Sequence, residues 1–139
     1  MSESAEIFIS YSRDDEMFVS RLVKALEASG YSVWWDTRIS AGSEFDNVIE
    51  NALAGASCVV VVWSRKSVTR EWVKNEASEG LRRGILIPIR IDDVEPPLAF
   101  RRRQTIDMLN DNDFDGVTKE VGRVVFWQWP GTPGAVSGL

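Results

Sequence analysis

Trp72 and Glu76 stand four residues apart in a stretch whose apolar residues recur at helical spacing, so indole and carboxylate share one helix face. Val73, Ala77, Gly80 and Leu81 supply the buried stripe of the same helix. On spacing alone the pair is an ordinary solvated flank, since glutamates are common on exposed helix surfaces. A second place where chemistry could sit is Ser12-x-x-Asp15, a capping-box signature. Free N–H groups at a helix start can hold a phosphate, and Arg13 stands beside them. Ser43-x-x-Asp46 has the same signature and needs no reading beyond a helix start.

Several chemistries are excluded. The chain has no histidine, which removes Ser-His-Asp and Cys-His catalysis and most zinc sites. No metal is therefore expected. The phosphate-cradling G-x-x-x-x-G-K-[ST] and G-x-G-x-x-G loops are both absent. A phosphoacceptor receiver needs an aspartate at the end of the third strand, where this chain reads Val62-Trp63-Ser64-Arg65. A flavin cradle needs a Ser/Thr/Gly-rich loop after the first strand, and Tyr11-Ser12-Arg13-Asp14 is not one.

The elements that must position these residues alternate along the chain. Strands are predicted at Ala5–Ser10, Tyr31–Trp35, Ser57–Trp63 and Ile85–Ile91, with a short fifth around Thr105-Ile106. Between them lie helical patterns: Phe18, Leu22, Ala25 and Leu26 stopped by Gly30; Phe45, Val48, Ile49, Ala52 and Leu53; and Glu71 to Arg83 stopped by Gly84. A last helix is marked by Val117, Val121, Val124 and Val125. The run Cys58–Trp63 suits a strand buried on both faces, and Pro88 is expected to remove one ladder bond. Such alternation means right-handed βαβ units and a parallel sheet. The expected fold is α/β, a flavodoxin-like five-stranded parallel sheet of order 2-1-3-4-5 with helices on both faces. Ligands of such sheets bind outside the carboxyl ends of the strands. That rule selects 10–15, 36–44, 63–76 and 92–97.

At 139 residues, 44% apolar and 27% charged, the chain has the size and composition of one ordinary domain. We expect a single domain over residues 1–129. Residues 130–139 have Pro/Gly-rich linker composition and are expected to join a further region. Cys58 is the single cysteine, which suits a reducing compartment. The acidic start Met1–Glu6 has neither a basic nor an apolar signal region, and no apolar run approaches bilayer length. A cytoplasmic protein with no membrane partner is expected. The net charge of −5 argues against nonspecific nucleic-acid binding, and Arg101-Arg102-Arg103 reads as a solvated turn.

From Glu6 to Val125 the chain resembles a Toll/interleukin-1 receptor (TIR) domain of the bacterial kind. The resemblance is carried by Ile7-Phe8-Ile9-Ser10-Tyr11-Ser12, by Gly30–Asp36 with Thr37-Arg38-Ile39-Ser40-Ala41-Gly42, which is similar to the family's BB loop, and by Val59–Ser64 followed by Trp72–Glu76. The chain departs from the family's pattern at Glu6, where many members have aspartate. It departs also at Ala41, where animal members commonly have proline, and at Arg70, where a serine often stands. Phe126-Trp127 falls too late to be the third box.

Many members of the family cleave NAD at the nicotinamide–ribose bond. The resemblance implies that Glu76 is the catalytic residue and that NAD is a substrate, with no separate cofactor. It implies that Trp72 walls the pocket, that Arg13 meets the pyrophosphate, and that Tyr11, Asp36, Gly42 and Phe45 line or shape the site. It also implies homotypic self-association through the 36–44 loop, with Arg38, Ile39, Ser40 and Ala41 at the interface. The alternative within the same family is a non-catalytic TIR–TIR interaction module, in which Glu76 is a surface charge. A flavodoxin-like small-molecule sensor is a third, weaker reading.

Overall fold

The computed structural model describes residues 6–35, 43–109 and 114–128. Five strands, β1 (Ile7–Ser10), β2 (Val33–Trp34), β3 (Cys58–Trp63), β4 (Leu86–Arg90) and β5 (Ile106–Asp107), form one parallel sheet of order β2-β1-β3-β4-β5. Four α-helices connect or flank them: α1 (Glu16–Ala28), α2 (Ser43–Gly55), α3 (Glu71–Arg83) and α4 (Asp115–Gln128). The expected order and all five strands are present. The second strand is shorter than its predicted Tyr31–Trp35, and the fifth begins one residue later than Thr105. The expected linker, residues 130–139, lies outside the described residues. Among those described, no helix is long and apolar enough to cross a membrane.

β3 is the centre because every one of its six residues is buried, as a strand covered on both faces requires. Alternation divides its side chains. Cys58, Val60 and Val62 join Ile7, Ile9, Ile87 and Ile89 on one face, against Val19, Leu22 and Leu26 of α1 and Val117 and Val121 of α4. Val59, Val61 and Trp63 join Phe8 and Leu86 on the other, against Val73 and Ala77 of α3, with Ile49, Ala52 and Leu53 of α2 packed alongside. Trp34 extends this second face by stacking on Phe8, ring centroids 5.0 Å apart.

Pro88 does not remove a ladder bond. The Val59 amide donates to the Ile85 carbonyl, and the Ile91 amide to the Trp63 carbonyl. The odd-numbered residues at this edge of β4 therefore turn their backbone groups toward β3, and the even-numbered ones turn toward β5. β5 begins its pairing only opposite Ile89, one residue beyond Pro88. The missing N–H faces a stretch with no paired strand, which is where a sheet tolerates proline.

Gly84 ends α3 at φ 74°, with its N–H on the carbonyls of Gly80 and Leu81. A left-handed residue at this position is what lets the chain reverse directly into β4.

Candidate active site

The carboxyl end of β1 is polar. Ser10 is its last residue and is 1% exposed. Since Phe8 lies on the α3 side of the sheet, alternation puts Ser10 there too. α3 descends onto this end of the sheet with Val73, Ala77 and Gly80 buried. At 100° per residue, Glu76 falls about 60° from the centre of that stripe, between core and solvent. It is only partly exposed, and its Oε1 accepts a hydrogen bond of 2.7 Å from the Ser10 hydroxyl. The same hydroxyl lies 3.5 Å from the Val73 carbonyl.

Burial raises the Glu76 carboxyl from 4.5 to about 7, against a smaller lowering by the Ser10 hydrogen bond. Its neighbours on the helix behave otherwise. Glu71 is exposed and pairs with Lys74 at 3.6 Å. Glu79 is paired with Arg82, and that hydrogen bond holds its carboxyl below the usual range. One glutamate of α3 is thus singled out by environment, and it is the one the sequence comparison of motifs selects.

Trp72 lies one turn before Glu76 and is 48% exposed, open enough to wall a cleft. The Arg70 guanidinium sits 5.7 Å over its ring and 3.4 Å from Asp14. No side chain caps α3: Arg70, the residue before the helix, is extended, and its backbone carbonyl accepts from Lys74. The turn leading to α3 is instead braced from below. Ser64 and Ser67, both buried, exchange backbone-to-hydroxyl hydrogen bonds of 2.8 and 3.0 Å. The Ser67 hydroxyl donates to the Val62 carbonyl, and the Ser64 hydroxyl donates to Asp15. Burial raises the Asp15 carboxyl, and the Ser64 hydrogen bond opposes that rise. These four serines, Ser10, Ser12, Ser64 and Ser67, are the buried polar residues among those described, and all stand at the carboxyl ends of β1 and β3.

The start of α1 is arranged differently from the capping box expected there. The Ser12 hydroxyl bonds the Asp14 carboxylate at 2.8 Å rather than a backbone N–H, and Arg13–Asp15 form a 3-10 turn before the α-helix. Two carboxylates in that turn disfavour a bare helix-start phosphate site, so any role of Arg13 rests on its own exposed charge. Tyr11 is a strut. It is buried, its hydroxyl donates to the Trp35 carbonyl at 2.8 Å, and its ring packs on Trp35. It thereby fixes the end of β2 from which residues 36–42 depart.

The structure brings Glu76, Trp72, Tyr11 and Arg13 to the carboxyl end of the sheet, on the β1 exit and on α3. Asp36, Arg38, Ile39, Ser40, Ala41 and Gly42 lie outside the described residues, as does the side chain of Phe45 in the first turn of α2. Ser10 was not singled out from the sequence. The available signal was a polar residue ending an apolar strand on the face that α3 must cover. A cavity of about 720 Å³ lies elsewhere, between β4, β5 and α4. None of Ser10, Trp72 and Glu76 lines it. No group of three or more acidic or cysteine side chains among the described residues could hold a metal ion.

A family model described as TIR domain matches residues 7–121. A curated relative, NAD(+) hydrolase TcpA of Theionarchaea archaeon (strain DG-70-1), is 31% identical over 91 residues, covering 60% of this chain. The aligned part amounts to 28% of that relative's length. Among solved structures, the TIR domain of the Toll-related receptor TRR-2 from Hydra magnipapillata superposes with a TM-score of 0.74 at 22% identity, covering 88% of this chain and 98% of that one. A metazoan TIR-STING receptor from C. gigas, in complex with 2',3'-cGAMP, matches at 0.69 and 22%, covering 87% and 39%. The TIR domains of the activated Roq1 resistosome match at 0.53 and 23%, covering 63% and 57%.

Proposed function

This chain belongs to the TIR domain family, and from that premise we propose that it cleaves NAD at the nicotinamide–ribose bond, hydrolysing or cyclising the remainder, when self-assembled. The observation that carries this reading is Glu76: a part-buried carboxylate at the carboxyl end of the sheet, with one oxygen held by Ser10 and Trp72 one turn away. The curated relative's name, NAD(+) hydrolase, supports the same substrate.

The chemistry needs no histidine. Nicotinamide is attached as a pyridinium, so it departs neutral and requires no general acid. The ribose becomes oxocarbenium-like as the bond breaks. A carboxylate fixed beside that carbon stabilises the developing positive charge and accepts from the ribose hydroxyls. Only the ionised form of Glu76 does this, so activity should rise with pH through about 7. The cationic substrate itself favours ionisation on arrival. Trp72 offers an aromatic wall, and Arg13 a cation for the pyrophosphate. Asp36, Gly42 and Phe45 would complete the pocket mouth.

The test is nicotinamide release from NAD, followed by chromatography at high protein concentration. Glu76→Gln keeps size and loses charge. It should reduce the rate on the order of a hundred- to a thousandfold, the usual effect of deleting one preorganised electrostatic group. Glu71→Gln and Glu79→Gln should keep the wild-type rate. An active wild type with an equally active Glu76→Gln would sink the proposal. An inert wild type would favour the interaction module. Self-association through the 36–44 loop predicts a rate that rises faster than linearly with protein concentration and is flattened by Ile39→Asp. A strictly linear dependence rejects that part.

A further inference from the structure

We propose that Ser10 is the positioning residue of Glu76: its hydroxyl holds Oε1, so that Oε2 is the oxygen presented to the substrate. This rests on the reading of Glu76 as the catalytic carboxylate. Ser10 ends a strand whose other three residues are Ile7, Phe8 and Ile9, and it is as buried as they are. A buried hydroxyl without a partner is costly, so its presence there is explained by the 2.7 Å bond to Glu76. The bond to Oε1 is the one polar contact Glu76 makes among the described residues. Oε2 has no hydrogen-bond partner among the described residues, which leaves it for the substrate. A glutamate side chain has three torsions to fix, and a single short hydrogen bond from rigid β1 removes most of that freedom.

The Val73 carbonyl, 3.5 Å from the same hydroxyl, gives the arrangement two states. When Glu76 is ionised, the Ser10 proton points at Oε1. When Glu76 is protonated, the carboxyl proton can bond the Ser10 oxygen while the Ser10 proton turns to Val73. The first state favours the charge and the second tolerates its loss. No charged side chain among the described residues contributes to the ionisation of Glu76. Those on the neighbouring segments are engaged elsewhere: Asp14 with Ser12 and Arg70, Asp15 with Ser64, Glu79 with Arg82, and Lys74 with Glu71. Ser10 is thus the polar group through which β1 reaches the carboxylate.

Two readouts on the full chain test this. One is a carbon-13 NMR titration of the Glu76 carboxyl without NAD, and the other is the pH dependence of nicotinamide release. Ser10→Ala should move the NMR midpoint upward from about 7 by roughly one pH unit, the size of a lost hydrogen bond to a charged group. The acid limb of kcat/KM should move with it, giving roughly a tenfold loss at pH 6. Ser10→Cys keeps the shape with a weaker donor and should fall between. It also serves if near-ultraviolet circular dichroism shows Ser10→Ala unfolded. A midpoint that stays put, or a rate loss equal at every pH, overturns the proposal. A wild type that releases no nicotinamide overturns the reading beneath it, while the NMR titration still decides whether Ser10 holds the carboxylate.

Discussion

The sheet face under α1 and α4 and the face under α2 and α3 are made from alternate residues of the same strands, yet they differ in what they bury. The first buries a continuous cluster of apolar side chains that runs from Ile7 to Val121. The second begins the same way, with Phe8, Val59, Val61 and Trp63, and then turns polar at its carboxyl end. There Ser10 and Glu76 meet under α3. An apolar face gains stability from every residue it covers. The α3 face gives some of that up at one point, to hold a carboxylate where water is partly excluded. Sites that break the local rule of burial are where function is to be sought.

The difference is measurable, because an apolar contact has no proton to exchange and Glu76 has one. On the first face, Leu22→Ala should lower stability by about 2–5 kcal/mol, by an amount that does not depend on pH. On the second, folding raises the Glu76 carboxyl from 4.5 to about 7, so between those values the folded state holds more proton than the unfolded chain. Stability from this group therefore falls as pH rises through that window, and it is level on either side. Glu76→Gln removes the slope. Its stability should match wild type near pH 4 and exceed it by up to roughly 3 kcal/mol at pH 8. Urea unfolding at the two pH values reads both effects. A gap between Glu76→Gln and wild type that is the same at pH 4 and pH 8 would erase the contrast between the faces. The gain in stability should accompany the loss of nicotinamide release, the usual exchange at a functional site.

How much of this was legible beforehand differs between the two faces as well. The apolar face follows from period: alternation in Ile7–Ile9 and Cys58–Val62, and helical spacing from Val19 to Leu26, leave little else for those residues to do. Strand order followed from the regular alternation of strands and helices, and the boundaries of α3 were read from Glu71 and Gly84. The polar end was harder. Glu76 at helical spacing is indistinguishable from Glu71 or Glu79 until α3 is rotated onto the sheet, and it took motif resemblance to choose among them. Ser10 carries one signal in its own segment, a polar residue ending an apolar strand, and that signal does not name a partner 66 positions away. The link from Ser64 to Asp15 is illegible for the same reason, since 49 positions separate them. The harmless placement of Pro88 is not legible in the sequence, because it depends on where the neighbouring strand begins.

Gly80 joins the two halves of this comparison, since it lies in the apolar stripe of α3 yet governs the polar end. A Cβ placed on it would stand 2.8 Å from the Cβ of Val59 and 3.2 Å from both Val59 methyls. Val59 is β-branched, fully buried and anchored in the central strand, so it cannot swing aside. The missing side chain is what allows α3 to lie this close to β3, and Glu76, one turn earlier, to reach Ser10. Gly80→Ala gains about 0.5–1 kcal/mol of helix propensity, against about 1–3 kcal/mol for overpacking. We expect a net loss of about 1–2 kcal/mol, the smallest of these effects on stability. The outward shift of α3 should lengthen the Ser10–Glu76 bond and lower nicotinamide release roughly tenfold, as sub-ångström misplacement of a catalytic group does. Gly116→Ala is the control, because a Cβ at Gly116 in α4 meets nothing within 4 Å: it should gain up to about 1 kcal/mol of helix propensity and leave nicotinamide release at the wild-type rate. A Gly80→Ala protein that is more stable and fully active would mean that the close approach of α3 to β3 is not what places the carboxylate.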